Sequence, residues 1–475
     1  MHLARARSAN MRARTQPIVM PQTSSLLERT LNAIARRYRL PNFAVHSLDT
    51  HAFSPETALA FVIEQARLAT AGGAVPDAAL KQRFCDTLAR VIACAMHPHT
   101  GDAVFQAMLL RHRETTVQEY ASLSAQAERD RRFVHAAVNG IAHPAKLQRM
   151  TPGQQRELLA ALHASAASSS WGRVEDHARR LLDLPDSAGD ASVNRRAQQL
   201  LNEEALVRLR TLQSLEGDVS VQQYRLLLDQ HGLRSGSAAA AARGVAAKQR
   251  GAEVEALAAR ALEALAQRLN EAEAPVSYRV VTSMRVPASM PSSHEHAKTE
   301  WDAVLLRQAA TVHDAAVWDV CLLIEAKASV DAASTDFARL LRGMRLLASA
   351  AATAYYSFET QQGIVRIRAA SLHALPVEGD RVANTVLYCC DALPDEPPRL
   401  LNAASRMQLL SAPASLAYAS TLMDEAHADS RALEPVWQAL IESPRWKSVL
   451  DQYAMLRQVR ELMVHADDLL GAIEQ

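Results

Sequence analysis

Lysine is nearly absent from this 475-residue chain, supplying only six of its 52 basic residues. Aromatic residues make up 5% and glycines number 16, so alanine and leucine set the composition and favour helix over most of the length. No stretch approaches the ~20 uncharged apolar residues that cross a bilayer, which predicts no transmembrane helix and no membrane partner. The five cysteines (Cys85, Cys94, Cys321, Cys389 and Cys390) form no CxxC pair, and three lie in apolar, strand-like runs. That odd count fits reduced thiols in the cytoplasm better than a disulfide framework. A net charge of +1 gives no global basic field, so any nucleic-acid contact must come from a local patch. No glycine-rich phosphate loop occurs, which argues against an ATP-driven motor.

What the chain does contain is helix punctuated by turns. The length suits two to four domains. Residues 1–23 carry Arg5, Arg7, Arg12 and Arg14 with no acid before Glu28 and no apolar core of a secretory signal, and they read as a basic, disordered arm. Residues 24–232 read as an all-helical domain. Ser54-Pro55 is a helix opening within it, and Pro144, Pro152, Pro185 and Gly217 are breaks. No fixed repeat period appears, so a solenoid is not expected. Residues 233–244 (LRSGSAAAAARG) form the best linker, although their alanine run is compatible with helix. Beyond it the pattern alternates. A helix over Gly251–Glu271 precedes strands over Tyr278–Val286, Thr299–Gln308 and Val317–Ala328. A helix over Asp336–Ala352 follows, then strands over Gly363–Leu375 and Val382–Cys390. Residues 399–475 read as helical again.

The third strand runs CLLIEAKAS, and one of the rare lysines closes it. Glu325 and Lys327, two residues apart on a strand, point to the same face. The second and third strands pair as a hairpin with Asp302 opposite Glu325, Val304 opposite Leu323, Leu306 opposite Cys321, and the turn at His313–Asp314. This register brings two acids and a lysine to one end of a sheet. Facing carboxylates repel unless a cation lies between them. Mg²⁺, or Mn²⁺ in its place, prefers such oxygen ligands, keeps several waters, and can polarise a phosphoryl oxygen. A lysine alongside can hold an attacking water or stabilise the charge of phosphoryl displacement. The helix before these strands carries the apolar stripe Val254, Leu257, Ala258, Ala261, Leu262, Leu265 and Leu269, with Glu255 at its margin and Glu253 further round.

RGAEVEAL, then TEWDAVLL, then CLLIEAKAS resembles the PD-(D/E)xK superfamily of restriction-endonuclease-like nucleases. The glutamate four residues after Gly251 is similar to the Holliday-junction-resolvase branch. The resemblance spans roughly residues 245–390. It implies a restriction-endonuclease-like αβββαβ core, placed over 245–398 between the all-helical N-terminal region and the C-terminal helices; the family's basic unit does not account for the helical half before the core. It also implies metal-dependent cleavage of DNA, or less often RNA. Glu255 would be the helical acid, Asp302 and Glu325 the other metal ligands, and Lys327 the catalytic lysine. Trp301 stands where the family motif has a proline.

Arg339, Arg342 and Arg345, spaced by three on the following helix, would track a phosphate backbone or form a solvated face. Glu300 shares the face of Asp302. Cys94, His97 and His99 have zinc-like spacing but no fourth ligand nearby, so a helix-capping histidine is the better reading. SSSW at 168–171 lacks the glycine elbow of a serine nucleophile. The expectation is a cytoplasmic, Mg²⁺-dependent DNA nuclease, acting on branched or structured DNA in one version. Its helical half would serve recognition, regulation, or association with a second copy or another protein. Two alternatives remain: a helical scaffold carrying an inert nuclease-like fold, and a secreted nuclease toxin.

Overall fold

The alternation of small and branched apolar residues in TEWDAVLL and DVCLLIEA builds two long strands, β2 (Glu300–Val312) and β3 (Ala315–Ala326), preceded by β1 (Tyr278–Arg285). The computed structural model describes residues 24–40, 53–184, 191–231, 238–312, 315–351, 354–394, 398–425 and 427–475. The expected basic arm (1–23), residues 233–237 of the expected linker and the expected turn at His313–Asp314 lie outside these residues.

Four more strands, β4 (Tyr355–Thr360), β5 (Gly363–Arg368), β6 (Val386–Cys390) and β7 (Met463–His465), complete a seven-stranded mixed sheet. β1, β2 and β3 form an antiparallel meander. β3 then pairs in parallel with β6, and β6 in parallel with β7. The β4–β5 hairpin joins the start of β3 through Val317 and Trp318. There Arg368 grips the buried Asp319 with two nitrogens, Nε at 2.7 Å.

Alternation along the strands gives the sheet two apolar faces. Ala303, Leu305, Leu322, Ile324, Leu387 and Val464 face α1 (Ser25–Ala33), α3 (Ala238–Ala272) and α7 (Ala466–Glu474). Val304, Leu306, Leu323, Tyr388 and Met463 face α4 (Val330–Ala348) and α6 (Gln452–Leu462). The stripe expected on α3 is the one buried: Val254, Ala258, Ala261, Leu262, Leu265 and Leu269 are fully covered. α2 (Pro55–Ala71) opens at Pro55 as expected, with Ser54 Oγ accepting from Thr57 N at 3.3 Å.

The chain forms two compact units whose boundaries depart from the expected ones. The described residues of Met1–Ala71, Ala238–Asn402 and Ser448–Gln475 form the sheet unit. Those of Gly72–Ser237 and Ala403–Lys447 form a second unit, built from helices. α1 belongs with the sheet because Leu27, Leu31 and Ile34 join the α3–α7 face. The C-terminal region is not helical throughout: MVH at 463–465 is β7, too short to carry a period. Ala238–Gly244, expected as linker, is the first two turns of α3.

Candidate active site

The hairpin register holds at the end that matters. Val304 pairs with Leu323 and Ala303 with Ile324, which sets Asp302 beside Glu325. Asp302 Oδ2 accepts a hydrogen bond from Ala326 N at 2.8 Å, so the acid is fixed to the backbone next to Glu325. Further along, the expectation fails. Leu305 pairs with Leu322 but Leu306 with Val320, so Cys321 is the extra residue of a bulge and turns toward the α3 side of the sheet. Cys321 therefore does not share the face of Leu323 and Glu325. Its burial among apolar neighbours, then Asp319, pushes its thiol up to about 12.

Glu325 is 2% exposed and is gripped from two sides. Lys327 Nζ donates to Oε1 at 2.6 Å, and Lys298 Nζ forms an ion pair with Oε2. Lys298 was not found by reading the sequence. It sits in the connection between β1 and β2, fully buried, with its ammonium 5.7 Å from the Trp301 ring centroid. Main-chain anchors hold it there: Lys298 N donates to Arg339 O at 3.1 Å, and Arg342 Nε donates to His296 O at 2.7 Å. A Cβ on Gly343 of α4 would lie 2.7 Å from Lys298 Cβ and 2.8 Å from Lys298 O, so only glycine lets the helix approach this closely. The rarity of lysine was the one signal available, since two of the chain's six converge on one carboxylate.

Asp336, on α4, extends the network. Its Oδ2 lies 3.7 Å from Lys327 Nζ and accepts from Tyr388 Oη at 3.3 Å, while Arg339 Nε reaches Oδ1 at 3.1 Å. The assembled group holds three acids (Asp302, Glu325, Asp336) and three bases (Lys298, Lys327, Arg339). Burial, then Asp302, pushes the Glu325 carboxyl up to about 7, with Lys298 and Lys327 pulling the other way. Burial opposes the charge of Lys327, but Glu325, Asp336 and Asp302 outweigh it and hold its ammonium above the ordinary range. Burial, then Asp336, raises the Tyr388 hydroxyl, which stays a donor.

The raised Glu325 sets a pH dependence. An ordinary carboxyl at 4.5 has lost its proton where this one, at about 7, keeps it, so the native state binds the extra proton in that window. The stability this group contributes is full below pH 4.5 and is lost as pH rises to about 7. Glu325→Gln cannot ionise. The stability of wild type minus that of Glu325→Gln is expected to fall between pH 5 and pH 7.5, measured as urea midpoints; a flat difference would show that Glu325 titrates ordinarily.

Backbone strain lies beside Asp302. Ser283 has φ 49°, and it stands across from Asp302, between the pairs Thr282–Ala303 and Met284–Trp301. A left-handed serine inside a strand costs about 1–2 kcal/mol. Ser283→Gly is expected to raise stability by about 0.5–1 kcal/mol, after the larger unfolded-state entropy of glycine is deducted. A lower thermal midpoint would refute the strain.

Apart from Arg339, the other expected site residues stand outside the cluster. Glu255 is exposed on α3, which covers the face of the sheet opposite to that of Glu325, and it is not brought into the cluster. Arg339, Arg342 and Arg345 are exposed on α4, and each already has a partner: Asp336, His296 O, and Glu378 at 3.5 Å. Glu300 is paired with Arg285 at 3.4 Å. Among the described residues, no group of three His, Cys, Asp or Glu side chains is arranged around a common metal position. Two carboxylates nevertheless suit Mg²⁺, which takes one or two from a protein and fills its shell with water and phosphate oxygens. Asp302 keeps one oxygen free of the Ala326 hydrogen bond, whereas Oε1 and Oε2 of Glu325 each meet a lysine ammonium. Such a donor set would hold Mg²⁺ or Mn²⁺ only weakly, in competition with the two lysine ammoniums. No helix among the described residues is long and apolar enough to cross a membrane. No protein-family model, curated protein or solved structure matches the chain.

Proposed function

We propose that the sheet unit is a Mg²⁺- or Mn²⁺-dependent nuclease that hydrolyses phosphodiester bonds of DNA, with restriction-endonuclease-like architecture. The observation carrying this reading is the convergence of Asp302, Glu325 and Lys327 at one end of the β2–β3 hairpin. The element order supports it: α3, three antiparallel strands, α4, then β6 parallel to β3, with the β4–β5 hairpin and the short helix α5 (Ala369–His373) placed before β6. Asp302 and Glu325 would hold the ion. When bound, that ion would polarise the phosphate and lower the pKa of a water. Lys327 is 18% exposed against 2% for Glu325, so it is the member that meets solvent and substrate. Its ammonium, fixed by Glu325 and Asp336, would hold the attacking water and offset charge on the phosphate. Arg339, Arg342 and Arg345 line the exposed side of α4 and would meet the flanking phosphates. The helical unit would supply recognition or regulation.

A second reading, an inert binding platform, draws on Lys298, whose ammonium already neutralises Glu325. Nicking of supercoiled plasmid separates the two. The nuclease requires Mg²⁺ and stops on chelation, and it loses activity in Asp302→Ala and Lys327→Ala. Equal nicking by the wild type and both variants would remove the proposal.

A further inference from the structure

Resting on the nuclease reading, we infer that Lys298 is a tethered cation that competes with the divalent ion for Glu325 Oε2, so that ion and DNA phosphate enter the site together. Three features carry this. Lys298 is 2% exposed and its ammonium is seated on Oε2, the oxygen that an ion held by Glu325 would have to share. The seat is built rather than incidental, since the Arg339 and His296 carbonyl anchors and the close approach of Gly343 fix the segment that bears it. With its ammonium over the Trp301 ring and its side chain buried, Lys298 reaches solvent only if that segment moves.

Charge then couples the two ligands. With Lys298, Lys327 and Arg339 facing Asp302, Glu325 and Asp336, the cluster is balanced. A divalent ion arriving alone leaves two positive charges in excess at short range, in a place poorly screened by water. A phosphodiester brings negative charge and relieves the excess. Ion and DNA must therefore strengthen each other's binding, and by the same factor in either order.

The test is Mn²⁺ binding by the full chain at pH 8, followed by calorimetry, with and without a short phosphorothioate duplex. Lys298→Met keeps the stem and removes the charge. It is expected to bind Mn²⁺ about tenfold or more tightly than wild type when DNA is absent. The duplex is expected to improve Mn²⁺ affinity strongly in wild type and weakly in Lys298→Met. Lys298→Arg, which keeps the charge, should behave as wild type. Should Lys298→Met not fold, Gly343→Ala gives the same readout by pushing the lysine segment off its seat. Unchanged or weaker Mn²⁺ binding in the folded variant, beside measurable wild-type binding, overturns the role of Lys298 and leaves the nuclease reading intact. Absence of Mn²⁺ binding in wild type and variants alike, or binding indifferent to Asp302→Asn, overturns the nuclease reading and this inference with it.

Discussion

Lys327→Ala is expected to lower Mg²⁺-dependent nicking by about 10²–10³-fold, the usual effect of removing one preorganised donor from a transition state. The fold should survive the change. Glu325 keeps Lys298, and Asp336 keeps Arg339 and Tyr388, so no buried acid is left alone. The thermal midpoint should therefore move little while the rate collapses, a combination that a purely structural lysine would not produce. Lys327→Arg should not restore the rate, because a planar guanidinium cannot replace a compact ammonium held 2.6 Å from Oε1. Retention of the wild-type rate in Lys327→Ala would remove this residue from the chemistry. Single-turnover nicking at saturating Mg²⁺ makes the comparison.

Trp301→Ala is expected to destabilise the sheet unit by about 3–5 kcal/mol, read from urea denaturation. Trp301 is fully buried among Met284, Val304 and Phe358 and lies beneath the Lys298 ammonium. Its loss opens a cavity and unseats the lysine together. Trp301→Phe should cost far less, about 1 kcal/mol, because it refills most of the volume. It also removes an indole Nε1–H that is buried with no hydrogen-bond partner among the described residues. A similar cost for both variants would show that the indole nitrogen has a partner and that volume is not the deciding factor.

Part of this site is legible in the sequence. Strand alternation places Glu325 and Asp302 from local rules alone, and the stripe on α3 follows from helical spacing. Lys298 was not legible, because it belongs to neither helix nor strand and its segment is positioned by the Arg339 carbonyl and the Arg342 guanidinium of α4, far along the chain. Asp336 could not be found either: a helical acid reads as solvated until the helix docks against Lys327 and Tyr388. The bulge at Cys321 escaped because an inserted residue leaves the apolar pattern intact on both sides of it. Glu255 was placed at the margin of the correct stripe, but the face that stripe covers is set by sheet packing, which the periodicity of one helix does not specify.

The parallel pairing of β6 with β7 bears on how the molecule is made. Cys390 meets His465, so the sheet cannot close while the nascent chain is still short of that residue. Until then the Leu387 and Cys389 side of β6 lacks both its neighbouring strand and the cover of α7. A fragment cut at 245–398 would carry the same raw edge permanently. Such a fragment should aggregate where the intact polypeptide does not, and cleavage assays on it would report misfolding rather than the chemistry of Lys327.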